Sequence, residues 1–144
     1  MTPVIERIWR RIDRSDPDGC WIWPGRTNTG GGYGVVTVGG RKNPKSLLVH
    51  RVVWVHERGP IPPDVECDHL CRNRRCCNPH HIELVPKRVN ILRGAGRAAE
   101  NARKTHCPAN HEYTPENTYT YGRRRYCRQC VRKKQRERYH LRKK

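Results

Sequence analysis

Apolar side chains recur at Ile5, Ile8, Trp9 and Ile12, the i, i+3, i+4, i+7 spacing that lines one face of a helix. Thr2-Pro3 offers an N-cap and a first-turn proline, so a short amphipathic helix is predicted over 3–13. The Asp16-Pro17-Asp18-Gly19 turn ends it. Cys20-Trp21-Ile22-Trp23 reads as a short strand. The β-rich runs 33–38 and 46–49 flank Gly39-Gly40 and predict a hairpin. A helix follows over 50–58, closed by Gly59-Pro60, and its tryptophan and valines would leave it largely buried. Residues 65–82 mix turn formers with Cys and His, so a metal-bound loop is expected there rather than regular structure. Another helix is predicted after Pro86, through Asn90. The glycines at 30–32 and 34 lack the lysine and spacing of a phosphate-binding loop and read as turn residues.

Composition changes this picture in one respect. Only 34% of the 144 residues are hydrophobic and none is Phe, too little to fill a deep core along the whole chain, so another staple is expected. No apolar run approaches the ~20 residues of a membrane span. The N-terminal stretch has charges threaded through its apolar positions and does not read as a signal peptide. A membrane or secreted protein is therefore not expected, and the 8 cysteines point to metal binding rather than disulfides.

Charge adds a partner. The 31 Lys and Arg against 13 Asp and Glu give a net +18, the electrostatic footprint of a nucleic-acid binder. It is uneven: residues 1–92 carry 15 cationic and 9 acidic side chains, and residues 93–144 carry 16 and 4. The small-residue stretch at Arg93-Gly94-Ala95-Gly96 marks the change. The predicted organisation is a first domain over 1–92, a linker over 93–105 with a helical turn or two through 98–102, a metal-binding module over 106–130 and a basic tail over 131–144. That tail would form a helix on a phosphate backbone.

Two constellations carry chemistry. Cys107-x3-His111-x15-Cys127-x2-Cys130 sets four soft ligands in two close pairs, the pattern of a closed structural zinc site. His106 is the alternative to His111. The middle segment from Cys67 to His81 is denser. Cys71, Cys76 and either His80 or His81 could be three ligands, and Cys20 is the only distant cysteine in the first part. Asp68 and His69 then remain unspent, of types suited to hard-metal binding and general-base work.

The segment His69-Leu-Cys71-x4-Cys76-x-Asn78-Pro79-x-His81, with Asn90 nine positions on, resembles the HNH or His-Me finger nucleases. Its likeness is to His-Cys box homing endonucleases and to HNH proteins of bacteriophages, and Cys20-Trp21-x-Trp23, Gly32-Tyr33-Gly34 and His50-Arg51 fit the phage-type pattern. The resemblance implies an α+β fold: a small zinc-stapled ββα-metal nuclease core with a C-terminal zinc-knuckle module and basic tail. It implies catalytic roles for His69, as general base, and for Asn78, the central Asn, fixing the loop by hydrogen bonding. Asp68 and Asn90 would hold one Mg²⁺ or Mn²⁺. Cys20, Cys71, Cys76 and His81 would hold one structural Zn²⁺, and the Cys107 quartet a second. Cys67 and Cys77 would be buried thiols or alternative ligands.

The implied reaction is metal-dependent hydrolysis of double-stranded DNA by a homing-type HNH endonuclease, leaving 5′-phosphate and 3′-hydroxyl ends. The phosphate-steering arginine is one of Arg51, Arg72, Arg74 and Arg75. Further DNA contacts are expected from Arg123, Arg124, Arg125, Arg132, Lys133 and Lys134. The implied setting is a bacterial cytoplasm, with a phage-encoded chain. Cutting both strands with one active site calls for a homodimer or sequential nicking. The competing readings are a non-catalytic zinc-stabilised DNA-binding protein and an RNA-binding or ribosome-associated protein.

Overall fold

The structure, a computed structural model, describes residues 2–122 and 124–143. The chain divides between Gly94 and Ala95 into two units. Among the described residues each sheet is a two-stranded antiparallel pair, and no helix is long and apolar enough to cross a membrane.

The first unit starts with α1 (Val4–Trp9), shorter than predicted and with Pro3, not Thr2, at the N-cap. The Arg11 amide donates to the Ile8 carbonyl at 3.0 Å, a three-residue closure that tightens the end of the helix. Ile12 lies beyond it yet stays buried. Then come β1 (Val35–Val38) and β2 (Lys45–Leu48), paired from Val35↔Leu48 to Val38↔Lys45. Gly39 sits at φ 88°, where a Cβ would lie 2.5 Å from the Asn43 carbonyl oxygen, so only glycine turns the chain there.

Helix α2 (Val49–Arg58) is one-sided rather than largely buried. Val49 and Val53 enter the core beside Ile8, Ile12, Trp23, Val36 and Cys77, whereas Val55 is 48% exposed. Each fully buried apolar side chain stabilises by roughly 1.5–3 kcal/mol. A core this thin leaves the Cys/His cluster a part in holding the unit.

The predicted strand at 20–23 shrinks to one bridge, Ile22↔Cys76, because Pro24 has no N–H to continue a ladder. The expected loop over 65–82 is also corrected. Here β3 (Val65–His69) pairs with β4 (Ile82–Pro86) from Val65↔Pro86 to His69↔Ile82, and α3 (Lys87–Arg93) packs on both strands. Successive residues Cys67, Asp68 and His69 are all buried, so β3 shows no alternation to read. Its connection to β4 carries the Cys and His residues and a 3₁₀ turn (Pro79–His81) instead of a short turn signal.

In the second unit the stretch read as a linker carries α4 (Arg97–Arg103), with Ala99 fully buried. The Arg125 guanidinium donates to the Asn101 and Lys104 carbonyls, both at 2.8 Å, and satisfies the end of that helix. The hairpin of β5 (Thr118–Tyr121) and β6 (Arg124–Cys127) follows. Helix α5 (Arg128–Arg142) begins ahead of the predicted tail and includes Cys130, so metal module and basic tail are one continuous element pair.

Candidate active site and metal centres

The donor atoms of Cys20, Cys71, Cys76 and His81 all lie within 4.8 Å of one another. His81 Nδ1 is 3.4 Å from the Cys20 sulfur and 3.6 Å from that of Cys76. A tetrahedron with Zn–S near 2.3 Å has edges of about 3.8 Å, so the spacing fits zinc. His81 Nε2 donates to the Asp18 carbonyl at 2.9 Å, which leaves Nδ1 as the lone-pair nitrogen facing the sulfurs. His80 stands outside, exposed and 3.5 Å from Arg58.

Asn78 ties this cluster together. It is fully buried; its amide nitrogen donates to the Pro17 and Gly19 carbonyls at 2.9 and 2.7 Å, and its oxygen accepts from the His80 amide at 3.0 Å. It thus joins the strand of chain carrying Cys20 to the turn carrying His81. The two remaining cysteines are core residues. Cys77 donates to the Trp21 carbonyl at 3.1 Å and burial pushes its thiol up to about 12; burial also raises Cys67.

In the second unit Cys107, His111, Cys127 and Cys130 form a like cluster within 4.8 Å. His111 Nδ1 lies 3.3 Å from Cys130 and 3.6 Å from both Cys107 and Cys127. Asn117, which spacing alone did not single out, supports it: its amide donates to the Cys127 sulfur at 3.5 Å and its oxygen accepts from the Gln129 amide at 3.1 Å. His106 lies outside, 3.0 Å from the Thr105 hydroxyl.

Strand β3 ends on Asp68 and His69, both buried. His69 Nε2 is 3.0 Å from the Cys76 carbonyl oxygen. That oxygen can only accept, so Nε2 carries the proton and Nδ1 carries the lone pair. Burial lowers the His69 pKa from its ordinary value; the Cys76 bond and Asp68 oppose it, and Arg72 and Arg74 act with it. The ring of His50, on α2, stands edge-on at 4.7 Å from that of His69, and Tyr33 is 5.4 and 5.8 Å from the two. His50 Nδ1 is buried with no partner among the described residues. Burial, then His69 and Arg51, lower its pKa to about 3. Two neutral imidazoles therefore lie side by side.

Two rungs join β3 to α3. Asn90 donates to Glu66 at 2.7 Å, and Arg93 reaches Asp68 at 3.4 Å while also pairing with Glu83. Arg72 donates to the other Asp68 oxygen at 2.8 Å. Asp68 and Asn90 thus share one seam, but the Asn90 amide nitrogen takes Glu66, a residue sequence reasoning missed. Its position two before Asp68, on the same strand face, was the available signal. Carboxylate oxygens and the Asn90 amide oxygen are hard donors that suit Mg²⁺ or Mn²⁺.

The candidate arginines separate. Arg75 is spent on the Trp23 carbonyl, at 2.9 and 2.7 Å, and Arg125 on α4. Arg74 donates to the Gly31 carbonyl at 2.9 Å with its guanidinium 5.5 Å from the Tyr33 ring centre. Arg51 is half-buried beside His50 and, among the described residues, has no hydrogen-bond partner. Arg124, Arg132, Lys133 and Lys134 are exposed, and Arg123 lies outside the described residues.

The HNH endonuclease family model matches residues 47–92, the stretch from the end of β2 through α3. The "Uncharacterized gene 5.3 protein" of Enterobacteria phage T3 is 37% identical over 79 residues, covering 54% of this chain and 78% of that protein. "Protein 2.8" and "Protein 7.7" of Escherichia phage T7 are 34% and 36% identical over 85 and 69 residues. Those alignments span 59% and 47% of this chain, and 55% and 49% of the T7 proteins. No solved structure matches the chain. The chain belongs to the HNH endonuclease family.

Proposed function

We propose that the protein is a metal-dependent DNA endonuclease, of the homing type its Cys and His spacing resembles, with β3, β4 and α3 as its ββα-metal unit. The observation that carries this is the His69 bond to the Cys76 carbonyl, which leaves Nδ1 as the unprotonated nitrogen inside the segment that matches the family. Nδ1 takes a proton from water as the water oxygen bonds to the scissile phosphorus. The bond to the 3′-oxygen breaks and that oxygen takes a proton from a solvent water, giving 5′-phosphate and 3′-hydroxyl ends. Asp68 and Asn90 would hold the divalent ion, which when bound supplies charge neutralisation at the phosphate. Arg51, free of other partners, steers the phosphate. Asn78 acts through the loop as a positioning residue, and the two Cys₃His quartets each hold a structural zinc.

Supercoiled plasmid incubated with protein and Mg²⁺ tests the reading. His69→Ala should lower cleavage by roughly 10²–10⁴-fold, the usual contribution of a general base, while zinc content stays at that of the parent. Equal cleavage by His69→Ala would show that the base is misassigned. One observation favours a non-catalytic DNA-binding protein instead: both Asp68 oxygens are engaged by guanidiniums. In that case the parent protein itself leaves plasmid intact at every Mg²⁺ and Mn²⁺ concentration.

A further inference from the structure

The β5–β6 hairpin presents a face that neither metal cluster uses. Tyr119 opposes Tyr126 and Tyr121 opposes Arg124 in its register. Opposed residues share a side of a sheet, as do alternate ones, so these four stand together on one face. Cys127 and Arg125 fall on the other face, committed to the metal cluster and to α4. On the first face the Tyr119 and Tyr126 rings stack at 5.3 Å with 18° between their planes. The Arg128 guanidinium lies 5.3 Å from the Tyr119 ring centre. Tyr121 is 78% exposed, a large ring left in water beside a stacked pair and two guanidiniums.

The surroundings specify what covers such a face. Helix α5, which starts at Arg128, carries Lys or Arg at seven of its fifteen positions against Glu137 alone. Flat aromatic rings interleaved with cations match a partner that alternates flat π-faces with negative charge, which is a nucleotide chain. In a duplex the base faces are hidden in the stack. We propose that Tyr119, Tyr121 and Tyr126, with Arg124 and Arg128, form a stacking platform for single-stranded DNA, holding unpaired nucleotides at a gap, flap or frayed end. The choice of DNA rests on the endonuclease reading; the preference for unpaired bases rests on the hairpin itself.

Fluorescence anisotropy with end-labelled oligonucleotides tests this on the full, zinc-loaded chain without Mg²⁺. The probes are an oligo-dT of about 15 nucleotides, within the range such platforms cover, an abasic strand with the same backbone, a duplex and an oligo-U of equal length. The oligo-dT should bind at least tenfold tighter than the abasic strand and tighter than the duplex. Tyr121→Ala should lose about tenfold on oligo-dT and almost nothing on the abasic strand, and Tyr121→Phe should bind like the parent. Tyr121 is exposed, so its removal leaves the fold in place, which circular dichroism verifies. Equal binding of abasic strand and oligo-dT, or of duplex and oligo-dT, overturns the platform, as does parent-like binding by both Tyr121→Ala and Tyr126→Ala. Tenfold tighter binding of oligo-U overturns the choice of DNA. Plasmid cleavage with Mg²⁺ on the same preparation reports the endonuclease reading separately, so either can fail alone.

Discussion

His50 is buried, and its Nδ1 has no hydrogen-bond partner among the described residues. Facing it are the His69 ring from β3, the Tyr33 ring ahead of β1, and the cationic Arg51 on its own helix. Burial denies a protonated ring its water, and His69 and Arg51 oppose a second positive charge. In the unfolded chain His50 takes up a proton near pH 6.5; in the folded chain it does so only near 3. Between those values the folded state binds fewer protons, so His50's contribution to stability is complete above about pH 6.5 and is lost as the pH falls toward 3. The slope is about 1.4 kcal/mol per pH unit. From pH 7 to pH 5 the parent should lose about 2 kcal/mol more than His50→Gln in urea unfolding. Equal losses would mean that the ring is hydrated. Asn78 makes the complementary case. Asn78→Ala strands the Pro17 and Gly19 carbonyls and the His80 amide, costing about 3 kcal/mol, and should speed zinc transfer to a chelating dye. At this scale the residues of the first cluster were legible through the family resemblance, whose Asn-Pro-x-His register points to His81, while spacing alone left His80 and His81 open; the structure brings His81 to Cys20, Cys71 and Cys76. Glu66 and Asn117 were not legible, since each meets its cluster through a neighbour brought up by folding; His50 was legible only as part of the His50-Arg51 pair of the phage-type pattern.

Elements behave differently according to what covers them. Helix α2 and the β1–β2 hairpin were readable because each has one apolar face and a glycine stop, at Gly59 and Gly39. Strand β3 was not, buried on successive residues, and β5 was not, because its Thr and Tyr alternate without contrast in polarity. Helix α5 is the extreme case, with no buried residue and an N-cap, Cys127, that makes no capping hydrogen bond. A 15-residue helix with no buried residue is marginal in water, so under the proposed zinc reading its order should depend on Cys127 and Cys130 being held at the Cys/His cluster. The four tryptophans, Trp9, Trp21, Trp23 and Trp54, all lie in the first unit and report on it alone. Cys127→Ser should therefore lose helical circular dichroism with tryptophan emission unchanged, whereas Cys71→Ser should shift the emission to the red. Parent-like circular dichroism in Cys127→Ser would show that α5 stands without the metal.

Over the whole molecule, each unit carries one of the two Cys/His clusters, and the charge is divided unequally between the units. The boundary at Gly94 gives Arg93 to the first, which then holds sixteen Lys and Arg against nine acidic residues, and leaves fifteen against four in the second. Much of that excess lies on α5 and the residues after it. Because Cys130 lies in the first turn of α5, removing the basic arm without destroying its anchor requires a truncation that begins at Arg132. Cutting at 123 would take Cys127 and Cys130, two of the four proposed ligands, with it. Loss of 132–144 removes eight Lys and Arg and one Glu. Each phosphate contact adds about 0.9 to the slope of log K against log salt, so duplex affinity in the truncated chain should fall several units less steeply with salt. Binding near 0.05 M salt should weaken most, and the two proteins should converge at high salt, where counterion release contributes little. Cleavage of short duplexes at low salt should persist, because His69, Asp68 and Asn90 all lie in the first unit. A salt slope equal to the parent's would place the DNA contacts elsewhere, on Arg51, Arg74 and the first unit's own surface.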